Sequence, residues 1–274
     1  MKRIAGWALA ACLSTLASAA EPVAAPELSS AQIVEKNAAA RGGLEAWRKI
    51  QTMVWAGHVE SGNAAASRLP FVLEQKRPNK TRFEMTVDKQ KSARVFDGVN
   101  GWKLRPNSSG KPELQPYTID EVTFARDAQV IDGPLMDAAA KGIAVTLGGV
   151  DEIEGRKAYR LNVKLPSGVR QTVWIDAETF LDIRLDRMSR NRAGQPGTVS
   201  VFYRNYRTIE GLQIPLTIET SAGAGKAADK LVIEKVALNP PLADRMFAKP
   251  SVPGARRNAV TVDTRVPPPS QPAR

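Results

Sequence analysis

Residues 154–188 read EGRKAYRLNVKLPSGVRQTVWIDAETFLDIRLDRM. Tyr159, Leu161, Val163 and Leu165 alternate with Arg160, Asn162 and Lys164. Successive strand residues point to opposite faces, so this spacing predicts a strand with one apolar and one polar face. Pro166-Ser167-Gly168 turns the chain. Val169, Gln171, Val173 and Ile175 then continue the first face against Arg170, Thr172 and Asp176. After a second turn at Asp176-Ala177-Glu178-Thr179, Leu181, Ile183 and Leu185 alternate with Asp182, Arg184 and Asp186. Three antiparallel strands with one greasy face need a cover for that face. What supplies the cover, and whether a ligand shares it, decides the function.

Working outward to the N-terminus, Lys2 and Arg3 precede an apolar run from Ile4 to Ala17 and the small residues Ala17-Ser18-Ala19-Ala20. This pattern predicts a secretory signal peptide over residues 1–20 and hence a periplasmic protein. The run is too short and wrongly flanked for a spanning helix. Cys12, the one cysteine, lies inside it; Leu9-Ala10-Ala11-Cys12 is the alternative, a lipoprotein processing box that would anchor the protein at the outer membrane. Cleavage near Ala20 leaves no thiol and no disulfide, so sheet and core must hold the fold. The formal charge of +11 comes from Lys and Arg scattered along polar strand faces, with Lys89-Gln90-Lys91 and Arg94 as the densest cluster. No nucleic-acid module is present. The charge reads as a solvated face, with attraction to anionic lipid headgroups as the alternative.

A Pro/Ala-rich leader occupies residues 21–29, and Ser29 or Ser30 caps a helix over 31–40 carrying Ile33 and Val34. Arg41-Gly42-Gly43 ends it, and Leu44, Trp47 and Ile50 mark a second short helical turn. Strands follow over 52–60 and 69–76, then around Phe83 and Met85, and at the hairpin turn Asp97-Gly98-Val99-Asn100-Gly101. Between Arg105 and Ile143 the pattern changes. Thr118-Ile119-Asp120-Glu121 is a capping box that opens a helix with Ile119, Val122 and Phe124. This helical insertion is the candidate cover for the apolar sheet face. Strands resume at Ile143 and run to Asn239; from Ser251 to Arg274 the chain is Pro-rich with almost no large apolar residues, which predicts a disordered tail. The expectation is a mainly β domain over 30–250 with about ten or eleven strands and a helical lid.

Catalytic signals are sparse. The single histidine, His58, reads as a surface residue; one histidine and no mature cysteine make a poor metal site. No G-x-S-x-G, G-x-G-x-x-G or phosphate-binding loop occurs. Asp120/Glu121, Asp151/Glu152 and Asp182/Asp186 read as cap, turn and solvated strand face. No cofactor is implied.

Six runs carry a resemblance: RGGLEAWRKIQT at 41–52, RPNKTRFEM at 77–85, FDGVNGW at 96–102, EGRKAYRL at 154–161, WIDAETFL at 174–181 and YRTIEGLQIP at 206–215. In order and spacing over residues 30–250 the chain resembles bacterial outer-membrane lipoprotein-sorting proteins, a group similar to the lipoprotein carrier LolA and its receptor LolB. The resemblance implies an unclosed antiparallel β-barrel (α+β) whose helices lid a concave side that takes acyl chains. The greater length and basic tail mark a relative of the carrier, not the carrier itself. It further implies a monomeric, non-enzymatic carrier of lipoproteins or other acyl-chain ligands. Trp55, Phe71, Leu73, Phe83, Met85, Tyr159, Leu161, Val173, Ile175, Leu181 and Ile183 are the expected lining, with Ile33, Val34, Ile119, Val122 and Phe124 as lid. On that expectation a charge at Leu161 is tolerated by the fold and abolishes acyl binding. The alternatives are an interaction module with an envelope protein partner, marked by a fully filled concave face, and an envelope hydrolase, marked by convergent carboxylates in a cleft.

Overall fold

Except at one bulge beside Ile183, the 154–188 stretch pairs as its alternation requires, within a far larger sheet. The computed structural model describes residues 28–61, 68–87, 90–190, 195–223 and 229–252. Helices α1 (Ser30–Ala40) and α2 (Leu44–Arg48) lead into β1 (Thr52–Ser61), β2 (Leu69–Lys76), β3 (Lys80–Val87), β4 (Gln90–Phe96), β5 (Gly101–Pro106) and β6 (Pro112–Pro116). Helix α3 (Ile119–Asp127) comes next, then β7 (Ala144–Ile153), β8 (Arg156–Lys164), β9 (Arg170–Asp176) and β10 (Asp182–Arg190). The chain continues through β11 (Pro196–Ile209), β12 (Leu212–Ala222), β13 (Asp229–Leu238) and a 3-10 turn at Asp244–Phe247. The predicted signal peptide, most of the leader and nearly all of the tail lie outside the described residues. At the margins, Leu28 packs on the α1 core and Val252 packs beside Phe247.

One 13-stranded antiparallel sheet results, in the order β6-β5-β4-β3-β2-β1-β13-β12-β11-β10-β9-β8-β7. It is unclosed, with β6 and β7 as edges. More strands form than the ten or eleven expected. Strand β6 hides between prolines at both ends of a short run, a placement that an edge strand tolerates.

The sheet is strongly curled. From β4 to β10 is seven strand steps, or ~34 Å along the sheet. Yet α3 touches both: Glu121 bonds Arg94 of β4, and Phe124, one helical turn on, lies under Arg187 of β10. Only a sheet curled into a trough brings those strands to one short helix.

Register assigns the faces. Tyr159↔Ile175 and Leu161↔Val173 across β8–β9, with Leu185↔Val173 across β9–β10, share the inner face. Ile183 does not. A bulge between Asp182 and Arg184 inserts one residue, so Ile183 turns outward and packs with Ile153, Ala158 and Trp174. Its expected place on the inner, lining face is thereby corrected.

The cover also differs from expectation. Helix α1 contributes Ile33 and Val34, but the rest comes from residues 130–143, where Leu135, Ala138 and Ile143 pack with Ile33 on β8–β10. Ile131 and Met136 pack with Trp47, Ile50, Met53, Leu212 and Ile214. Helix α3 buries no residue, and Ile119 is 86% exposed. Its apolar residues form no stripe: Ile119 and Val122 are three apart, but Phe124 is five from Ile119, on another side. The outer face has its own cap, where fully buried Phe247 covers Ala93, Val95 and Leu104. His58, expected at the surface, is buried on that outer face of β1, with Nδ1 2.8 Å from Glu234 and Nε2 3.2 Å from Glu60.

Candidate functional site

The inner face divides into a filled half and an uncovered half. Tyr159, Leu161, Val173 and Ile175 lie in the filled half, beneath Ile33, Leu135, Ala138 and Ile143. Leu161 and Ile175 have no exposed surface. Trp55, Phe71, Leu73, Phe83 and Met85 lie in the other half, on β1–β3. There Phe71, Val59 and Ile233 are buried, whereas Trp55, Leu73, Phe83, Met85, Leu216, Ile218, Leu231 and Val236 are only partly so. Phe71 and Phe83 stack with centroids 5.6 Å apart. Among the described residues the buried Trp55 indole N–H has no acceptor. Leu181 belongs to neither half. With Ile183, Tyr203 and Tyr206 it lines a cavity of about 310 Å³ beside the β10 bulge.

A polar tie holds the cover down, and nothing in the spacing of its members announced it. Asp132, almost wholly buried, accepts from Arg77 Nη2 at 2.7 Å and from Lys141 Nζ at 2.7 Å. Burial lowers the Lys141 pKa below its ordinary value, opposed by the bond to Asp132. Arg41 Nη1 donates to the Asp132 carbonyl at 2.8 Å, lies 3.6 Å from Asp182 and stacks over Trp47. Trp47 Nε1 and the Gln213 amide both donate to the Arg41 carbonyl. Gly42 follows at φ +109°, where a Cβ would strike the Gly211 carbonyl. Arg41, Gly42, Trp47 and Arg77 thus join α1, α2, the β2–β3 turn and the cover. Asp132→Ala is expected to lower stability by about 3–5 kcal/mol, since it leaves Arg77 and Lys141 with unpaired charge. Urea unfolding of the variant beside the parent measures this.

Cationic side chains cluster at the mouth of the trough. Arg94 lies opposite Phe83 across β3–β4, and Lys103 opposite Arg94 across β4–β5, so all three share the inner face. Glu121 of α3 accepts from Lys103 at 2.8 Å and Arg94 at 3.0 Å, and from the Thr118 amide at 2.9 Å. Burial acts to raise the Glu121 pKa, but the bonds from Lys103, the Thr118 amide and Arg94 outweigh it and hold the pKa at about 2. A carboxylate so depressed is charged throughout the neutral range, and its ion pairs weaken only as pH falls toward that value. A cavity of about 210 Å³ opens here, lined by Phe83, Met85, Ser92, Ala93, Arg94, Lys103, Leu104 and Arg105. From the opposite wall Arg187 faces in, its guanidinium 4.5 Å from the Phe124 ring. Burial pushes its pKa down, and the charge of Arg94 adds to the effect. Among the described residues no group of three His, Cys, Asp or Glu side chains is arranged to hold a metal, and no helix is long and apolar enough to cross a membrane.

A curled open sheet with a helical cover on its inner face has solved counterparts. A LolA superfamily protein from Nitrosomonas europaea superposes with a TM-score of 0.52 at 16% identity, over 81% of this chain and 99% of that one. The chain has a LolA-like fold. An outer membrane lipoprotein-sorting protein domain from Vibrio parahaemolyticus gives a TM-score of 0.50 at 12% identity, over 79% of this chain and 95% of that one. No protein-family model and no curated protein matches the sequence. Within the LolA-like fold, the runs at 41–52 and 77–85 contribute side chains that clamp the cover to the sheet.

Proposed function

We propose that this is a periplasmic carrier for lipoproteins or other acyl-chain ligands, acting by binding and not by catalysis. The observation that carries the reading is the uncovered half of the trough: a row of large apolar side chains from β1–β3, β12 and β13, partly exposed beside a half that the chain covers itself. The LolA-like fold and its likeness to a lipoprotein-sorting domain support it. So does the buried indole N–H of Trp55, which has no acceptor among the described residues and which an ester or amide carbonyl would satisfy. A buried methylene is worth about 0.8 kcal/mol, so some fourteen carbons gain on the order of 11 kcal/mol. Association and ordering cost roughly 4–15 kcal/mol. The balance is close, as reversible hand-off requires.

Neither cavity is lined by a carboxylate or a histidine. Asp132 and Asp182, the buried carboxylates nearest the cover, are held by Arg77, Lys141 and Arg41. The hydrolase alternative therefore has no observation in its favour, and the filled half of the trough alone does not make the case for an interaction module. The decisive experiment is mass spectrometry of solvent extracts from protein purified out of the envelope, with titration of a fluorescent fatty-acyl probe into the delipidated protein. Saturable uptake and a co-purified acyl lipid are expected. A folded protein that takes up no probe would overturn the carrier reading. N-terminal sequencing of the exported protein is expected to begin near Ala20 or Glu21; a diacylated Cys12 would make it an anchored lipoprotein instead.

A further inference from the structure

We propose that the mouth of the trough is an anion site. In it Arg94, Lys103, Arg105 and Arg187 receive the phosphate or carboxylate head of an acyl ligand in exchange for the Glu121 side chain. This rests on the acyl-binding reading above and names the class of headgroup.

The ladder registers make the case first. Trp55↔Leu73, Leu73↔Phe83, Phe83↔Arg94 and Arg94↔Lys103 form one continuous row across the inner face. It is apolar for its first three members and cationic for its last two. That is the profile of an extended amphiphile with an anionic head. The cavity of about 210 Å³ sits at the change of character, with Phe83 and Met85 on one side and Arg94, Lys103 and Arg105 on the other.

Charge balance makes it second. Glu121 is the carboxylate bonded to the cluster. Arg105 donates to Gln115, and Glu113, opposite Arg105 across β5–β6, accepts from that same Gln115. Arg94 also lies over the Tyr117 ring, 4.9 Å from its centroid. Arg187 meets a ring and forms no ion pair among the described residues. A partly desolvated cation without a counter-ion is costly, and an anion between Arg94 and Arg187 removes that cost.

Attachment makes it third. Glu121 reaches the site from a helix with no fully buried residue, fastened by point contacts: its own ion pairs, Phe124 under Arg187, Asn79 on the Arg126 carbonyl and Ser167 on Asp127. A ligand head that displaces Glu121 takes one of those fastenings away.

The test uses three ligands with the same acyl chain: a fatty acid, a lysophosphatidate and an uncharged monoacylglycerol. Each is titrated against the full-length protein, with inorganic phosphate as a fourth arm. Wild type is expected to bind both anionic ligands about tenfold tighter than the uncharged one, the scale of one charge-assisted hydrogen bond. Added salt should narrow that gap. Glu121→Gln preserves the capping-box geometry with Thr118. It is expected to tighten the anionic ligands about fivefold and leave the uncharged one unchanged. Arg94→Gln combined with Lys103→Gln should bring the anionic ligands down to the uncharged level.

Equal binding of charged and uncharged ligands by wild type overturns the anion site and leaves the acyl trough standing. So does a double variant that weakens all three alike. If inorganic phosphate binds as tightly as the lysophosphatidate, the site is independent of the trough and the proposal also falls. Failure of folded wild type to bind any acyl ligand removes the carrier reading and this proposal together.

Discussion

Leu161→Glu is expected to leave no cooperatively folded protein at room temperature. Leu161 has no exposed surface and sits between Leu147 on β7 and Val173 on β9. Ile33, Leu135 and Ile143 belong to the same core cluster. The substitution removes a packed leucine, which costs about 2–5 kcal/mol by itself, and places an unpaired carboxylate where no water reaches it. Net stabilities of domains are only about 5–15 kcal/mol. Circular dichroism and gel filtration should report an unfolded or aggregated chain, and Leu161→Ala a folded but weakened one. The acyl-cavity reading that the resemblance implies favours the opposite outcome, a tolerated charge in an open cavity. A Leu161→Glu protein that melts within a few degrees of wild type would show that this half of the trough opens.

On the other half the same chemistry is expected to spare the fold and abolish binding. Leu73 is partly exposed between Trp55 and Phe83 on the inner face. A glutamate there can reach solvent, so Leu73→Glu should cost about 1–3 kcal/mol. It should also weaken a fluorescent fatty-acyl probe by at least about tenfold, because a charge now lies where methylenes must pack. Val72→Glu, one residue away on the outer face and already 38% exposed, is the control and should change neither property. Equal probe binding by Leu73→Glu and wild type would place the ligand elsewhere. The contrast between Leu161 and Leu73 is the sharpest distinction that the divided trough makes.

Much of the architecture was legible in local pattern. Period-two alternation marked most strands, a cap at Ser29 or Ser30 and the capping box at Thr118 marked where α1 and α3 begin, and glycines marked the hairpins. These features depend on a few neighbouring residues, so one chain states them. The resemblance of six short runs supplied the fold that alternation alone leaves open.

Other features depended on partners far away in the chain. Ile183 keeps the alternation of Leu181 and Leu185 in sequence, but one bulged residue in β10 moves it to the other face. Residues 130–143 carry no strong period, yet they supply the cover because Asp132 is held by Arg77 and Lys141. His58 looked solitary until β13 brought Glu234 beside it. The candidate lining likewise read as a single list, since Phe83 and Leu161 have the same pattern of neighbours along their strands. Away from the β10 bulge, local sequence determined which side chains share a face. Which of those are covered by the chain itself, and which are left for another molecule, was decided only by the curl of the sheet and the reach of the cover, because burial belongs to surfaces brought together and not to either strand alone.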